Sequence, residues 1–435
     1  MNTQTVIYWF RRDLRLDDNP SLTAAVNHAR ERGCRLLPVA VTPATAIDSP
    51  YGSLQRGETA LAWAKQSQWA LHAQLLTMGN GLHLVESLEG LRILAQQTHA
   101  IAIYCESIPL PQEIAEVERL GAGAPWVVHT QLQSTLFDAD DLPFASADVP
   151  LVFTAFKQAI ERAGLRCAQP MDAITSMPPP PDSGLADSVT APTPISVAHV
   201  PSSSIASDRT AGAVGAERHW QAYLDAKYPH RYFETRNQLS GKHFSSQLSI
   251  DLAWGTISPR RVIAMLDAFE AAEGESKSSY WLWFELMWRE HFRWLHQRFG
   301  RQLFRARGLS ETAPKIHARN GDWLAWCEGR TGQGLVDAAM RELAATGFMS
   351  NRMRQIVASY WIHDLKGDWR AGAAWFESQL CDEDCFSNTG NWLYIAGLGS
   401  DPRGGRRFDP IKQTRDHDPK GAYQRLWGVT SRATR

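Results

Sequence analysis

The chain has 435 residues, 44% of them hydrophobic and 21% charged, which is typical of a folded globular protein and excludes a largely disordered one. At about 150 residues per domain, this length predicts two or three domains. The 45 basic and 46 acidic side chains give a formal net charge of −1, so any nucleic-acid site has to be a local patch.

The sequence carries no signal for a membrane span, a leader peptide or a metal site. No apolar run approaches the roughly 20 residues that span a bilayer, and residues 1–5 lead directly into a strand-like run. Cys381 and Cys385 are the closest pair of the six cysteines, and they lack nearby Cys or His partners for a tetrahedral site. We therefore expect a cytoplasmic protein with reduced thiols and no bound metal.

Strand and helix patterns alternate through residues 1–130. In chain order, the predicted elements are strand Val6–Phe10, helix Leu22–Ala29, strand Leu36–Val41, helix Glu58–Thr77, strand Leu82–Val85, helix Gly90–Gln97, and strands Ala100–Tyr104 and Trp126–His129. Such alternation indicates a parallel sheet with helices on both faces. The first strand ends in the basic run FRRDLRL and not in a glycine-rich dinucleotide loop.

The composition changes in the middle of the chain. The prolines Pro178–Pro181 open a Ser/Ala/Pro/Thr-rich stretch that is typical of a linker, and from Trp220 onward the pattern is helical. We predict an α/β domain over residues 1–135, a partly flexible connector over residues 136–215 and an all-α domain over residues 216–435.

Two clusters in the helical half have residue types that bind ligands. Ser245–Ser249 precede a helix-like segment, where hydroxyl and backbone N–H groups bind phosphate well, although a plain loop with an N-cap fits the pattern too. One helix face carries Trp281, Glu285, Trp288 and Arg289. This face is either a core stripe or a ligand site, because buried charges need partners.

A third cluster comprises residues 347–355 and 381–394, where polar side chains precede Trp392 and Tyr394. This pattern predicts either a pocket rim with a stacked aromatic ligand or an ordinary helix-turn-helix surface.

Motifs spread over nearly the whole chain resemble those of the cryptochrome/photolyase family, and most closely its DASH-type cryptochromes. In order, they are FRRDLRLDDN (10–19), ETRN (234–237), WRE (288–290), TGFMSNRMR (346–354), GNWLYIAG (390–397) and the stretch 401–413. Each motif is weak alone, but this order is specific. The resemblance implies a photolyase-type α/β domain and an all-α domain that binds FAD in a U-shape.

The resemblance also implies roles for cofactor-binding side chains. The FAD phosphates would be held by Tyr232, Ser245, Ser246, Gln247, Leu248 and Ser249. Arg289 would lie against the cofactor, and Arg354 would pair with Asp382 beside the isoalloxazine, where the pair stabilises negative charge. Asp384 would face the flavin ring or the ribityl chain, and Asn388 would place its amide at flavin N5.

The implied substrate is a cyclobutane pyrimidine dimer flipped out of its strand, because the electron donor has to contact the lesion. Glu285 would hydrogen-bond the dimer and protonate or stabilise its radical anion. Trp288 would pack on the apolar face of the dimer, and Asn351 would border the cavity. The activity would be that of a deoxyribodipyrimidine photo-lyase, in which light-excited reduced flavin donates the electron that splits the ring.

Gln355 and Tyr394 stand where duplex-repairing photolyases have methionine and tryptophan. Aromatic–base stacking contributes about 1–3 kcal/mol per base, and flipping costs least in a strand that is already single. We therefore expect repair preferentially in single-stranded DNA. A blue-light photoreceptor or regulator that binds nucleic acid without repairing it is the alternative, and an ordinary nucleotide-binding protein is a third.

Two cofactor-related features depart from the family pattern. Electron supply to the flavin would use, in order, Trp392, Trp369 and Trp323. The last of these is the nearest candidate, because Ile316 occupies the usual third position. At the site of a folate antenna such as methenyltetrahydrofolate, Ile108 replaces an expected glutamate, and Glu106 is the candidate substitute, so antenna binding stays open.

A basic tail is the candidate DNA contact. Residues 396–435 carry nine basic and four acidic side chains, a net charge of +5. Arg403, Arg406 and Arg407 lie in a glycine-broken loop that suits backbone phosphates, with a solvated charged tail as the alternative. We expect a monomer whose partner is single-stranded DNA containing pyrimidine dimers. Oligomeric state, RNA binding and cellular role are open at this stage.

Overall fold

The computed structural model describes residues 4–49, 52–181, 190–193, 209–241, 243–400 and 404–429. The described residues form an α/β part followed by a helical part, as predicted. None of the helices in these ranges is both long enough and apolar enough to cross a membrane.

The first part is built on a five-stranded parallel sheet with the order β5-β2-β1-β6-β7. The strands of the chain are β1 (Thr5–Phe10), β2 (Arg35–Val41), β3 (Ala46–Ser49), β4 (Gly52–Gln55), β5 (His83–Val85), β6 (Ala100–Glu106) and β7 (Val127–Gln131). The apolar run of β1 is fully buried at the centre. The chain builds outward from β1 in both directions, so the carboxyl ends of β1 and β6 form the topological switch point of the sheet.

Helices cover the sheet, and β3 pairs with β4 in a small separate hairpin. The helices of this region are α1 (Pro20–Arg32), α2 (Glu58–Leu76), α3 (Leu88–Gln97), α4 (Pro111–Gly121) and α5 (Phe153–Arg162). The side chain of Asn19 caps α1 by accepting from Leu22 N–H, and Pro20 occupies the first turn. The hairpin, α4 and α5 were not among the predicted elements.

The second part is entirely helical. Its helices are α6 (Ala213–Asp225), α7 (Tyr232–Thr235), α8 (Ser249–Trp254), α9 (Pro259–Glu273), α10 (Lys277–Phe299), α11 (Asn320–Cys327), α12 (Gly334–Thr346), α13 (Asn351–Ser359), α14 (Trp369–Gln379), α15 (Cys385–Ala396), α16 (Pro410–His417) and α17 (Ala422–Leu426). The longest, α10, starts at a Ser276 capping box and buries Leu282, Trp283 and Met287. Its opposite face borders a large cavity.

The predicted connector, residues 136–215, contains α5, which buries Phe153, Phe156 and Ile160 against the core around α10. Much of its Ser/Ala/Pro/Thr-rich stretch, residues 182–189 and 194–208, lies outside the described residues.

The basic run after β1 joins the two parts of the molecule. Arg12 pairs with Glu383 at 2.9 Å and stacks over the ring of Trp254. Fully buried Arg15 donates to Gly255 O at 3.1 Å. Gly255 has φ +64°, and a Cβ there would lie 1.9 Å from Arg12 O, so only glycine fits this contact.

Candidate active site

A cavity of about 440 Å³ opens in the helical part. It is bordered by α7, the loop before α8, and α10, α13 and α15. The expected site residues that line it are Tyr232, Ser245, Ser246, Gln247, Leu248, Ser249, Glu285, Trp288, Arg289, Asn351, Arg354, Gln355, Asp382, Asp384 and Tyr394. Segments that are far apart in sequence therefore meet around one space.

A smaller pocket of about 100 Å³ adjoins this cavity and shares Arg354 and Asp382 with it. The pocket is lined by Asn388 and Trp392, both on α15. The side-chain amide of Asn388 donates to Ala373 O at 2.9 Å, which fixes its orientation. Asn388 thus lies beside the main cavity and not in its wall.

The serine loop at residues 245–249 is held from behind by two residues that sequence reasoning missed. Buried Arg209 donates to Gln247 O at 2.7 Å and pairs with Asp251 on α8. The ring Nε2 of His219 donates to Ser246 O at 2.7 Å. Gln247 adopts φ +52°, a conformation rare outside glycine, so this loop needs such support. Helix α8 has only six residues. The groups that can bind an anion here are therefore those of the loop and its serines, and not the N-terminus of the helix.

Two charged clusters lie side by side at the base of the cavity. The expected pair is present, with one guanidinium nitrogen of Arg354 at 3.0 and 2.8 Å from the two carboxylate oxygens of Asp382. Next to it, Asp384 lies 3.2 Å from Arg293 and 3.9 Å from Arg289. Burial acts to raise the pKa of Asp384, but Arg293 and Arg289 lower it to about 2. A fixed carboxylate therefore faces the cavity.

Two arginines, Arg289 and Arg293, surround Asp384 with positive charge. Burial, together with the neighbouring Arg293, lowers the pKa of Arg289 to about 10. Arg289 is held by Ser134 O at 2.9 Å, and buried Nε of Arg293 has no hydrogen-bond partner among the described residues. These donors, the serine hydroxyls and the two carboxylates form a donor and acceptor set that fits a large polar ligand with phosphates and a heterocycle.

The wall of the cavity also carries a half-buried acid, Glu285. Glu285 Oε1 accepts from Arg236 at 3.0 Å and from the indole of Trp281 at 3.1 Å. Burial raises the pKa of Glu285 despite the opposing effect of Arg236. Arg236 was not predicted as a site residue, although it lies within the ETRN motif, and its buried Nε has no hydrogen-bond partner among the described residues.

Trp288 is clamped between aromatic neighbours. Phe153 of α5 stacks on it with a centroid distance of 3.7 Å and an interplanar angle of 9°. Tyr394 meets it edge-on at 5.9 Å. Arg406 lies 5.4 Å over the ring of Tyr394. These contacts hold the ring of Trp288 in place where the cavity wall would meet an apolar ring system. The support from Phe153 was not predicted from the sequence.

Of the expected electron-transfer residues, Trp392 lines the small pocket, and all three belong to the buried core of the helical part. Trp392 has ring contacts with Trp326 at 6.3 Å and Phe376 at 5.2 Å. Within the described chain, Trp369 has no ring contact with either Trp392 or Trp323. Trp323 instead contacts Trp326 at 5.8 Å.

A third cavity, of about 370 Å³, lies between the two parts of the molecule, at the position of the expected antenna site. Ile108 lines it, whereas Glu106 is fully buried and does not reach it. The idea that Glu106 replaces the antenna glutamate is therefore wrong. Glu113 does line this cavity, but it is paired with Arg11.

The candidate DNA contacts are only partly described. Arg407 is exposed and pairs with Asp364 at 2.6 Å, and Arg406 borders Tyr394. Arg403 lies outside the described residues.

Two protein-family models match the chain. The model described as DNA photolyase matches residues 6–180, and the model described as the FAD binding domain of DNA photolyase matches residues 281–431. The chain is 35% identical to Cryptochrome DASH of Vibrio parahaemolyticus, over 100% of this chain and 95% of the relative. It is also 35% identical to Cryptochrome DASH of Synechocystis sp., over 97% of this chain and 87% of the relative.

Solved structures agree with these matches. The crystal structure of the Synechocystis sp. PCC6803 cryptochrome superposes with a TM-score of 0.89 at 34% identity, covering 98% of this chain and 89% of that one. A bacterial class III photolyase from Agrobacterium tumefaciens superposes with a TM-score of 0.80 at 29% identity, covering 98% and 87%.

Proposed function

Because this chain belongs to the cryptochrome/photolyase family, in its DASH branch, we propose that it is a blue-light-driven lyase that repairs cyclobutane pyrimidine dimers, preferentially in single-stranded DNA. FAD is its cofactor, since the helical part is a photolyase-type FAD-binding domain. The observation that supports the lyase proposal is the single cavity in which Glu285 and Trp288 face the charged base formed by Arg354, Asp382 and Asp384.

The charged base and the serine loop are the proposed FAD site. The loop at 245–249, with Tyr232, binds the phosphates, and Arg289 neutralises them. The Arg354–Asp382 pair borders the isoalloxazine, and Asp384, kept ionised by Arg293 and Arg289, fixes the orientation of the cofactor by accepting hydrogen bonds. Asn388 reaches the flavin only through the adjoining small pocket.

The part of the same cavity lined by Glu285 and Trp288 is the proposed lesion site. When bound and reduced, the flavin supplies on excitation the electron that opens the cyclobutane ring and then accepts it back. Trp288, clamped by Phe153, packs on the apolar face of the dimer. The raised pKa of Glu285 favours a carboxyl that donates a hydrogen bond to a dimer carbonyl, with Arg236 and Trp281 holding its other oxygen. Asn351 and Gln355 close the rim.

The preference for single strands rests on Tyr394 and Gln355. Tyr394 presents a smaller ring than tryptophan, and its edge already packs against Trp288. A base-stacking loss within the range of about 1–3 kcal/mol is comparable to the cost of unpairing and flipping. Repair in duplex DNA is then suppressed more than repair in a strand that is already open.

DNA is the proposed partner outside the cavity. Arg406 lies over the ring of Tyr394, and the next residue, exposed Arg407, pairs with Asp364. In this proposal both arginines contact backbone phosphates beside the flipped lesion. Neutralising both residues flattens the salt dependence of DNA binding. We further propose that the protein acts as a monomer in the cytoplasm, where its six unpaired cysteines stay reduced.

The proposal is tested by illuminating reduced holoprotein with the same dimer-containing oligomer in single-stranded and duplex form. We expect rapid loss of the dimer from the single strand and little loss from the duplex. The double variant Gln355→Met/Tyr394→Trp is the matched comparison, and it should gain duplex repair. Equal repair of both substrates by the parent contradicts the strand preference. No repair of either substrate, with flavin bound and reducible, favours a photoreceptor.

A further inference from the structure

Two carbonyl groups of the serine loop, residues 245–249, are held from the side away from the main cavity. Ser246 O accepts from His219, and Gln247 O accepts from Arg209, both at 2.7 Å. All five loop residues line the cavity, whereas neither Arg209 nor His219 is among the described residues that do. Both carbonyl oxygens therefore point away from the cavity.

The orientation of these carbonyl groups determines where the next N–H groups point. In a planar trans peptide the C=O and N–H bonds point in opposite directions, so the N–H groups of Gln247 and Leu248 turn toward the cavity. Gln247 has φ +52°, and Leu248 has φ −67° and ψ −13°, so the two backbones have opposite hands. Alternation of this kind lets successive N–H groups converge on an anion.

The N–H of Leu248 is consistent with such a role. Leu248 is buried, and its N–H donates to no other atom of the described residues. A buried N–H without a partner is unfavourable in a folded protein. The loop therefore offers a backbone donor on its cavity side that a bound anion would satisfy.

Arg209 fixes this loop relative to two helices. Its side chain is only 2% exposed, pairs with fully buried Asp251 on α8, and lies 5.5 Å over the ring of Trp63 on α2. The left-handed conformation of Gln247 is unfavourable for a residue with a Cβ, so it needs a contact that holds it. The bond from Arg209 to Gln247 O is such a contact.

We propose that Arg209 is a positioning residue for FAD. By holding Gln247 O, it keeps the N–H groups of the serine loop directed at the diphosphate of the cofactor, and it thereby determines how slowly FAD is released. Arg209 acts through the loop and not by its own contact, because it lies behind the cavity wall. The inference rests on the FAD site of the proposed function but not on dimer repair.

The test uses Arg209→Met/Asp251→Asn, which removes both charges of the buried pair, because removing one alone would leave the other unpaired. Arg260→Met/Asp138→Asn is the matched control. Buried Arg260 also bridges a backbone carbonyl, Thr135 O at 2.9 Å, and a carboxylate, Asp138 at 2.7 Å, but it does not contact the serine loop. Release of FAD is followed by the fluorescence of free flavin after dilution of the holoprotein in the dark. Phosphorus NMR of the bound cofactor reports the surroundings of its two phosphates.

We expect Arg209→Met/Asp251→Asn to release FAD at least about tenfold faster than the parent, because a misdirected N–H loses a hydrogen bond to a charged group. Its phosphorus signals should shift. The control should keep the parental release rate and the parental signals, even if its stability falls as much. A purely structural role of Arg209 would change the stability of both variants and leave the phosphorus signals unmoved.

Two outcomes would overturn the proposal. One is parental release with parental phosphorus signals in folded Arg209→Met/Asp251→Asn, and the other is equally fast release in the control. If the double variant does not fold, Arg209→Lys decides, since it keeps the charge beside Asp251 but lacks the fixed fork of a guanidinium. Faster release by Arg209→Lys supports the proposal, and parental release overturns it. Slow release of FAD by a parent that repairs no dimers would contradict the proposed function alone.

Discussion

At the residue scale, the environment of Glu285 determines what its carboxyl can do. It is half-buried between Arg236 and Trp281, and partial desolvation raises its pKa above the usual value for glutamate. The arrangement suits an acid that donates a hydrogen bond to the substrate and receives support from two fixed donors. Trp281 shares a helix face with Glu285 and Arg236 belongs to the ETRN motif, but the sequence does not show that both donate to the same carboxylate oxygen.

Glu285→Gln should lower the repair yield by about tenfold to a hundredfold, because an amide is a weaker donor than a protonated carboxyl and cannot protonate the dimer radical anion. A hydrogen bond to such a charged group contributes about 1.5–3 kcal/mol. Flavin binding should not change, since Glu285 is not one of the proposed FAD-binding residues. The yield is measured with chemically reduced protein and a single-stranded dimer. Glu275→Gln, at an exposed position just before α10, is the control. An unchanged yield in Glu285→Gln would remove Glu285 from the mechanism.

A second prediction at this scale concerns the ring stack behind Trp288. Phe153→Leu removes a face-to-face partner at 3.7 Å and should cost about 1 kcal/mol of unfolding free energy while weakening binding of the dimer. Phe156→Leu is the matched control on α5, because Phe156 is also buried and also contacts His291, but its other ring contact is Phe144 and not Trp288. Denaturant titration and binding to a dimer-containing strand are measured for both variants. Equal loss of dimer binding in the two variants would show that the stack itself is unimportant.

At the scale of elements, the ends of β1 and β6 bring together charges that the sequence keeps far apart. Glu106, the last residue of β6, is fully buried, and neither of its carboxylate oxygens has a hydrogen-bond partner among the described residues. Burial, reinforced by Asp13 after β1, raises the pKa of Glu106 to about 7, although Arg293 opposes the shift. Ionisation of Glu106 therefore destabilises the folded protein.

This acid makes stability depend on pH. The pKa of Glu106 in the folded state lies above its unfolded value near 4.5. Its contribution to the free energy of unfolding is therefore fully present below pH 4.5 and is lost as the pH rises through about 7. Glu106→Gln should remove up to about 3 kcal/mol of that decline. Urea titrations at about pH 5 and about pH 8 measure the free energy of unfolding of the parent and of the variant. Parallel pH profiles would refute the assignment.

Elements were predictable where one face is buried. The alternation of the sheet strands with α1, α2 and α3 follows apolar periods, and the predicted bounds lie close to the observed ones. The β3–β4 hairpin has no buried residue, and α4 buries only Leu120, so neither left a clear apolar period in the sequence.

The site was predictable where motifs carry it and not where distant segments support it. Residues of the TGFMSNRMR and GNWLYIAG motifs line the cavity as expected. Arg209, Phe153 and Trp326 support that site through contacts with residues in other segments, and no local period pairs such segments in a single sequence.

At the scale of the whole molecule, the joint between the two parts determines the shape of the cavities they share. The backbone after β1 rests directly on Gly255, and Arg12 adds an ion pair with Glu383 across the joint. A substitution that forces this contact apart should disturb both stability and flavin retention.

Gly255→Ala tests the joint, with Gly33→Ala as the matched control. Both glycines have φ near +63°, but a Cβ at Gly33 meets open space, whereas one at Gly255 lies 1.9 Å from Arg12 O. Gly33→Ala should cost only the backbone strain of about 1–2 kcal/mol. Gly255→Ala should cost at least about 2 kcal/mol more, because a steric clash is added. Denaturant midpoints of the two variants measure this difference in unfolding free energy. Equal midpoints would show that the contact between Arg12 and residue 255 can shift without loss of stability.

We propose that one cavity brings a reduced flavin and a flipped pyrimidine dimer together. The decisive measurement is the loss of dimers from a single-stranded oligomer under blue light, with flavin-loaded and chemically reduced protein. We expect light-dependent loss that stops in the dark and falls sharply in Glu285→Gln. Dimers that persist under light, while the bound flavin stays reduced, would contradict it.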